Sequence, residues 1–260
     1  MLVTNNIKIF GLNLSIYGLL MAVGFLLAFF IVKNLFKKRG KINENITLDL
    51  LIIILPSSII GARIYYILFS GRSWTFLEML QIWNGGLAIY GGIIGGFIAL
   101  VIYSLVKKIN LLDITDSVAV GLIIAQAIGR IGCYFAGCCY GIETLNESLM
   151  WFPMSVMIDG KWHLATFFYE SLWNILGFIS LLIVYNKVNK TGFSTGLYLA
   201  IYGLGRFFIE GLRGDSLLIG PFKVSQLLSA LVFCAGVLIM IFCFTLNKKV
   251  DKQDEQKSSI

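Results

Sequence analysis

Seven long apolar runs constrain this chain more than any other feature of its sequence. They lie at about residues 14–33, 46–69, 87–106, 114–136, 166–186, 194–211 and 224–246. In helical conformation, a run of ~20 apolar residues spans the ~30 Å hydrocarbon core of a bilayer. With 58% hydrophobic residues, 13% charged residues and a mean hydropathy of +0.84, the chain has too little polar surface for a water-soluble globule. The sequence therefore predicts an all-α integral membrane protein, a bundle of seven transmembrane helices.

The basic residues predict how this bundle is oriented. They concentrate after the first, third, fifth and seventh runs, which hold thirteen of the 21 Lys and Arg residues: Lys33, Lys37, Lys38, Arg39, Lys41, Lys107, Lys108, Lys187, Lys190, Lys248, Lys249, Lys252 and Lys257. Cytoplasmic segments of membrane proteins carry such an excess. We therefore expect the N-terminus outside and the C-terminus in the cytoplasm. Because the net charge of +7 follows this topology, we expect no nucleic-acid partner.

The chain is predicted to form one membrane domain and a short tail. Residues 1–247 hold all seven runs, and the first run is long enough to stay in the membrane as a helix instead of acting as a cleaved signal peptide. Residues 248–260 are charged and lack an apolar pattern, so we predict a disordered cytoplasmic tail.

Four arginines lie within or just beyond the outward halves of the predicted spans: Arg63, Arg130, Arg206 and Arg213. A charge at membrane depth costs about 2.5 to 3.5 kcal/mol, so it persists where it faces a polar cavity or a bound anion. Arg206, Glu210 and Arg213 share one helix face, where two arginines against one carboxylate leave a positive stripe. Snorkelling of Arg130 and a structural ion pair on the sixth span are the alternatives. We expect the four arginines to converge on one cavity near the outer leaflet.

Other polar or small residues are candidates for the same cavity. Tyr17 lies at the outer end of the first run, where most tyrosines are interfacial anchors, and Glu170 lies about one turn inside the fifth. Gly91 and Gly92 are each followed by another glycine four residues later, which allows close helix packing or approach of a lipid chain. Tyr90 places a hydroxyl among these glycines and indicates a lined cavity.

Arginine-rich cavities in membranes suit phospholipid headgroups, because a guanidinium donates two parallel hydrogen bonds to phosphate oxygens. Arginines that bind a departing phosphate would stabilise its negative charge. No cofactor or metal is expected, since the single histidine, His163, and scattered acids provide no ligand set. Cys133, Cys138 and Cys139 leave two alternatives open, a redox pair or a soft-metal site. The competing classes are therefore a membrane thiol oxidoreductase and a non-catalytic lipid transporter or scaffold.

Five segments in the same order resemble the prolipoprotein diacylglyceryl transferases: GARIYYILF, WNGGLAIYGGIIGG, GRIGCYFAGCCYG, FFYESLWN and GRFFIEGLRGD. The resemblance implies a multi-pass protein of the bacterial plasma membrane with seven spans and a site open to the outer leaflet. It implies transfer of a diacylglyceryl group from phosphatidylglycerol to the lipobox cysteine of a prolipoprotein, with release of glycerol phosphate. The implied partners are phosphatidylglycerol, prolipoprotein signal peptides and membrane lipid.

The residue pattern and the resemblance together select the site residues. Arg130 and Arg206 match the family's principal phosphate-contacting or catalytic arginines, and Tyr90 falls where many members carry a histidine proposed as the base. We predict catalytic roles for Arg130, Arg206, Tyr90 and Glu210. We predict substrate contacts for Arg130, Arg63, Tyr17, Arg213, Gly91, Gly92, Gly141 and Glu170.

The chain departs from the family signature GRxGNFxNxExxG at all three of the polar positions that follow its arginine. Cys133 and Ala136 replace its two asparagines, and Cys138 replaces its glutamate, whereas Gly129, Arg130, Gly132 and Gly141 remain in register. In the fifth span, LAT at 164–166 replaces the family's HPT. These changes would alter headgroup selection or mark a paralogue with a different acceptor.

Overall fold

The computed structural model describes residues 6–9, 12–214, 218–219 and 222–258, and in these residues it is overwhelmingly helical. The helices are α1 (Ile16–Arg39), α2 (Ile46–Phe69), α3 (Phe76–Leu80), α4 (Ile89–Lys107), α5 (Leu111–Ala136), α6 (Thr166–Lys187), α7 (Phe193–Gly211) and α8 (Val224–Ser258). The strands pair in three antiparallel hairpins, β1 (Asn6–Ile9) with β2 (Leu12–Ser15), β3 (Ser155–Ile158) with β4 (Lys161–Leu164), and β5 (Leu218–Ile219) with β6 (Phe222–Lys223). The sequence does not predict these hairpins, because they are too short to carry a strand pattern.

Six of the described helices are long and apolar enough to cross a membrane: α1, α2, α4, α5, α6 and the Val224–Thr245 part of α8. This confirms a helical integral membrane protein. The sixth predicted run does form a helix, α7, but Arg206 and Glu210 lower its apolar content and it is not among these six. A count of seven spans and the orientation of the termini stay predictions.

The chain divides into two compact units. The first unit comprises Met1–Val32 and Thr115–Ile260, and the second unit comprises Lys33–Ile114.

In the first unit, α7 packs along both α6 and α8. Its glycines let the backbones approach closely: a Cβ on Gly203 would lie 2.6 Å from Phe233 N and 2.7 Å from Ser229 O. The start of α7 is capped from α5, since the fully buried Asp116 accepts hydrogen bonds from the backbone N–H groups of Gly192 and Thr195 at 2.8 Å each. The position of α7 is thus fixed at its start and along its length.

In the second unit, α2 and α4 form a closely packed pair. The segment that connects α2 to α4 runs from α3 through the 3₁₀ turn Ile82–Asn84. It exposes Phe76, Leu77 and Trp83. An exposed apolar segment of this kind suits the membrane interface.

The C-terminal part of α8 passes the boundary predicted at residue 247. The helical backbone continues to Ser258, while Ser259 and Ile260 lie outside the described residues. Disorder of residues 248–260 therefore stays a prediction.

Candidate active site

Two arginines and two glutamates form a continuous ion-pair network in the first unit. Arg130 Nη2 lies 2.9 Å from Glu170 Oε1, and Arg206 Nη1 lies 3.3 Å from Glu170 Oε2. Arg206 Nη2 also lies 2.6 Å from Glu210 Oε2, one helical turn along α7. Glu170 therefore holds the two arginines together, and Glu210 fixes the second one.

The network has a buried side and an accessible side. The side chains of Glu170 and Glu210 are 5% and 4% exposed, whereas those of Arg130 and Arg206 are 23% and 17% exposed. The carboxylates consequently support the guanidinium groups from within the protein. Each guanidinium has five N–H donors, and the ion pairs described here use only some of them. An anion can therefore bind at the accessible side.

The helices bring these side chains together at one end of the first unit. Arg130 lies six residues before the end of α5, Arg206 lies five before the end of α7, and Glu170 is the fifth residue of α6. At 1.5 Å per residue, all three lie roughly 6 to 9 Å from the ends of their helices. The prediction of two arginines for one carboxylate on α7 is incomplete, because Glu170 supplies a second carboxylate from α6.

Lys223 lies beside this network and was missed in the sequence. Its Nζ donates hydrogen bonds to the carbonyl oxygens of Glu210 at 2.9 Å, Gly211 at 3.2 Å and Arg213 at 2.6 Å. These carbonyls lie at the C-terminal end of α7, where a cation is favourable. Lys223 thus fixes the backbone that carries Glu210 and Arg213, and only the return of the chain through β6 places it there.

The turn after α5 contacts the network through Cys139. Arg130 Nη1 donates to Cys139 Sγ at 3.4 Å, and Thr166 Oγ1 donates to the Cys139 carbonyl oxygen at 2.8 Å. A hydrogen bond with the Cys133 thiol, together with the charges of Arg130 and Arg213, lowers the pKa of the Cys139 thiol to about 5. Both predicted arginines of this region, Arg130 and Arg213, therefore act on one sulfur.

Gly141 and Tyr17 pack closely against their neighbours in the first unit. A Cβ on Gly141 would lie 2.7 Å from Leu212 O and 2.8 Å from Thr166 Cγ2, so no larger residue fits. The Tyr17 ring lies against Gly132 of α5, where a Cβ would be 2.9 Å from Tyr17 Cδ2. Gly141 thus joins the segment after α5 to the ends of α6 and α7, and Tyr17 covers the helix that carries Arg130.

His163 serves the hairpin of β3 and β4. Its Nδ1–H donates to the Gly141 carbonyl oxygen at 3.1 Å, and its ring lies 4.8 Å from that of Tyr140. These contacts hold β4 against residues 141–144, where Leu164 N also donates to Ile142 O at 3.1 Å. The segment between α5 and α6 is thus ordered by strand pairing.

Arg63, in the second unit, is buried and donates four hydrogen bonds to backbone carbonyl oxygens. Its acceptors are Glu78 O at 2.6 Å, Gly85 O at 2.7 Å, Met79 O at 3.0 Å and Gly86 O at 3.0 Å. The guanidinium also lies 5.1 Å from the centre of the Trp74 ring. Arg63 therefore fixes the interfacial segment between α2 and α4, and its predicted contact with substrate stays a prediction.

The glycines predicted to line a cavity, Gly91 and Gly92, also belong to the second unit. An apolar groove of about 420 Å³ lies between α2 and α4, and its lining includes Gly61, Gly91, Gly95, Ile98 and Tyr65. Tyr90 and Gly92 are not among the lining residues, and Tyr90 is 48% exposed. Whether Arg63, Tyr90, Gly91 and Gly92 join the arginine network stays a prediction, since the network lies in the first unit.

Comparison with known proteins gives consistent matches. The family model described as prolipoprotein diacylglyceryl transferase matches residues 5–242. The phosphatidylglycerol--prolipoprotein diacylglyceryl transferase of Listeria welshimeri is 41% identical over 247 residues, covering 91% of this chain and 88% of the relative. Those of Clostridium novyi and Clostridioides difficile are each 40% identical, covering 95% and 92% of this chain and 98% and 95% of the relatives.

Proposed function

The chain belongs to the prolipoprotein diacylglyceryl transferase family, and from this premise we propose that it transfers a diacylglyceryl group from phosphatidylglycerol to a prolipoprotein. The acceptor is the thiol of the lipobox cysteine, and the products are a thioether and glycerol phosphate. The observation that carries this proposal is the pair of guanidinium groups supported by two buried carboxylates.

In this mechanism Arg130 and Arg206 bind the phosphate of phosphatidylglycerol. Glu170 holds both guanidinium groups in place before the lipid arrives, so little reorganisation is needed as charge develops. Glu210 keeps the second guanidinium oriented, and Arg213 adds positive charge at the end of α7. The arginines thus bind the leaving group more tightly as its negative charge grows.

The chemical step is a substitution at the glyceryl carbon. The substrate sulfur supplies an electron pair to form the new carbon–sulfur bond, and the bond from that carbon to the phosphate oxygen breaks. Its electron pair leaves with glycerol phosphate, and the thiol proton is released to solvent. Tyr90 is proposed to support the step as a hydrogen-bonding group, because a phenol hydroxyl can both donate and accept a hydrogen bond.

The groove between α2 and α4 is proposed to take an acyl chain of the lipid. Its lining is almost wholly apolar, with Gly91 and Gly95 leaving room beside Ile94 and Ile98. A saturated chain there would replace membrane lipid without placing a polar group in hydrocarbon. Contact of Gly91 with lipid hydrocarbon is part of this proposal.

We also propose that α7 crosses the membrane as the seventh span, with the N-terminus outside and the site near the outer leaflet. If α7 did not cross, the basic residues after α8 would lie on the other side of the membrane from those after α1, α4 and α6. The positive-inside rule favours all four basic segments on the cytoplasmic side. The ends of α5 and α7 that carry Arg130 and Arg206 are the ends remote from the basic segments.

The test of this function is transfer by the purified full chain. Phosphatidylglycerol labelled in its diacylglyceryl part is incubated with a lipobox peptide, and label and mass of the peptide are measured. Wild type should label the peptide, and Arg130→Ala and Arg206→Ala should each lose about 100-fold or more in rate. Arg72→Ala is the matched control, since Arg72 is an exposed arginine paired with Glu78.

The competing classes predict other results. A thiol oxidoreductase would tolerate Arg206→Ala and form no labelled peptide, and a lipid transporter would bind or move lipid without any covalent product. A folded wild-type protein that leaves the peptide unlabelled would contradict the proposed transfer.

A further inference from the structure

Three thiols converge at the junction between α5 and the turn that follows it. The sulfur atoms of Cys133, Cys138 and Cys139 all lie within 4.8 Å of one another. We propose that these three cysteines form a binding site for a thiophilic divalent cation of the Zn²⁺ type, which joins the turn to the end of α5.

The spacing of the sulfurs suits such an ion. Zinc binds thiolates at ~2.3 Å, so three sulfurs that share one ion lie roughly 4 Å apart. The three sulfurs lie within 4.8 Å of one another, and small rotations of the cysteine side chains would bring them to this distance. Thiolate ligands select soft cations over magnesium or calcium. Three protein ligands would leave the fourth position of a tetrahedral ion open to a water molecule.

The backbone of the turn is held in a conformation that favours this convergence. Gly137 and Cys139 both have left-handed backbone angles, with φ of 62° and 59°. For a residue with a side chain this conformation costs roughly 1 to 2 kcal/mol, and such residues cluster at functional sites. Cys138 N also donates to Cys133 O at 3.1 Å, which closes the turn onto the helix. A metal ion bound by all three sulfurs would offset the cost of this conformation.

Apolar side chains pack against the three cysteines. Cys133 is buried with Val156, Ala165 and Phe167, and Cys138 and Cys139 pack against the same group. The sulfurs also have polar contacts, since Cys133 Sγ donates to Gly129 O at 3.8 Å and Arg130 donates to Cys139 Sγ at 3.4 Å. A thiophilic cation would replace the weak contacts among the three sulfurs by strong bonds. Each sulfur binds such a cation as a thiolate, so binding would release the protons of those cysteines that are still thiols.

The site lies beside the arginine network but does not depend on transfer. Arg130 donates to Cys139, so the ion would hold one neighbour of Arg130 in a fixed position. The proposal rests on the positions of three sulfurs, and its test measures metal binding and not catalysis. A protein that binds no metal can therefore still transfer the diacylglyceryl group, and a protein that transfers none can still bind metal.

The experiment is a titration of the full chain, purified in detergent, reduced with a phosphine and treated with a chelator. Co²⁺ is added, and the thiolate-to-cobalt charge-transfer absorption is recorded before Zn²⁺ is added in competition. We expect saturation at one Co²⁺ per chain, loss of the absorption on adding Zn²⁺, and a rise in melting temperature with Zn²⁺.

Single variants identify the ligands. Cys133→Ser, Cys138→Ser and Cys139→Ser should each weaken Co²⁺ binding by more than the about 10-fold expected for loss of an indirect contact. Cys234→Ser, which removes an exposed thiol on α8, is the control and should bind as wild type does. Because Cys138 is partly exposed, its variant also serves if Cys133→Ser does not fold.

Two results would overturn the proposal. One is a reduced, folded wild-type protein that shows no thiolate-to-cobalt absorption at saturating Co²⁺. The other is absorption that survives in all three variants, which would place the ion elsewhere on the protein.

Discussion

Glu170 is the residue on which the geometry of both site arginines depends. Its two carboxylate oxygens bind Arg130 and Arg206 separately, and it is almost completely buried. A buried carboxylate that pairs two cations cannot be replaced by a neutral group without leaving those cations poorly compensated. Glu170 is therefore a positioning residue for the phosphate site, and its effect should appear in both stability and rate.

At this scale we predict that Glu170→Gln lowers the transfer rate by about 100-fold and lowers the melting temperature. The amide keeps the size of the side chain but removes the charge that holds both guanidinium groups. The matched control is Glu143→Gln, which breaks an exposed ion pair with Lys161 worth under about 1 kcal/mol. Normal transfer by folded Glu170→Gln protein would exclude this role.

At the scale of elements, the pairing of α2 with α4 depends on individual glycines. A Cβ on Gly91 would overlap the Gly61 carbonyl oxygen and the Cβ of Tyr65, because the two helix backbones meet there. A Cβ on the adjacent Gly92 would lie at an ordinary 3.5 Å from Ser58 O and 3.6 Å from Ala62 Cβ. The helix packing therefore requires a glycine at position 91, whereas position 92 has room for a methyl group.

We therefore predict that Gly91→Ala destabilises the protein by about 1 to 3 kcal/mol, as overpacking does. Gly92→Ala should change stability by no more than about 0.5 kcal/mol, since the added methyl group makes only ordinary van der Waals contacts. Unfolding of the two variants in mixed detergent, compared with wild type, measures the difference. Equal stability of the two variants would mean that α2 and α4 can separate at this position.

At the scale of the whole molecule, the number of crossings decides which face holds the site. A reporter enzyme active only outside the cytoplasm can be fused after Asn110, Asn146, Lys190 or Gly214. We predict activity after Asn146 and Gly214 and none after Asn110 and Lys190, because α5 and α7 both run outward from basic segments. The fusion after Gly214 tests directly whether α7 crosses the membrane. An inactive reporter at this position would mean that the protein has six spans.

The four charged residues of the ion-pair network can be picked out from the sequence because charges are rare in apolar helices. The family resemblance carried by five segments was confirmed by the family match and by relatives about 40% identical to this chain. Arg130, Arg206, Glu210 and Glu170 stood out as charges within apolar runs, where each needs a partner. Their pairing could not be predicted, since Glu170 and Arg206 are 36 residues apart and meet only through helix packing.

By itself, the sequence determined that the chain is a helical membrane protein, because apolar runs of this length can satisfy their backbone groups only as helices within a bilayer. The tertiary structure decided which polar groups meet. It set Glu170 between two arginines, turned Arg63 toward carbonyl oxygens, and brought Cys133 to the two cysteines of the following turn. These contacts depend on backbone conformation and on helices distant in sequence, and no local pattern encodes either.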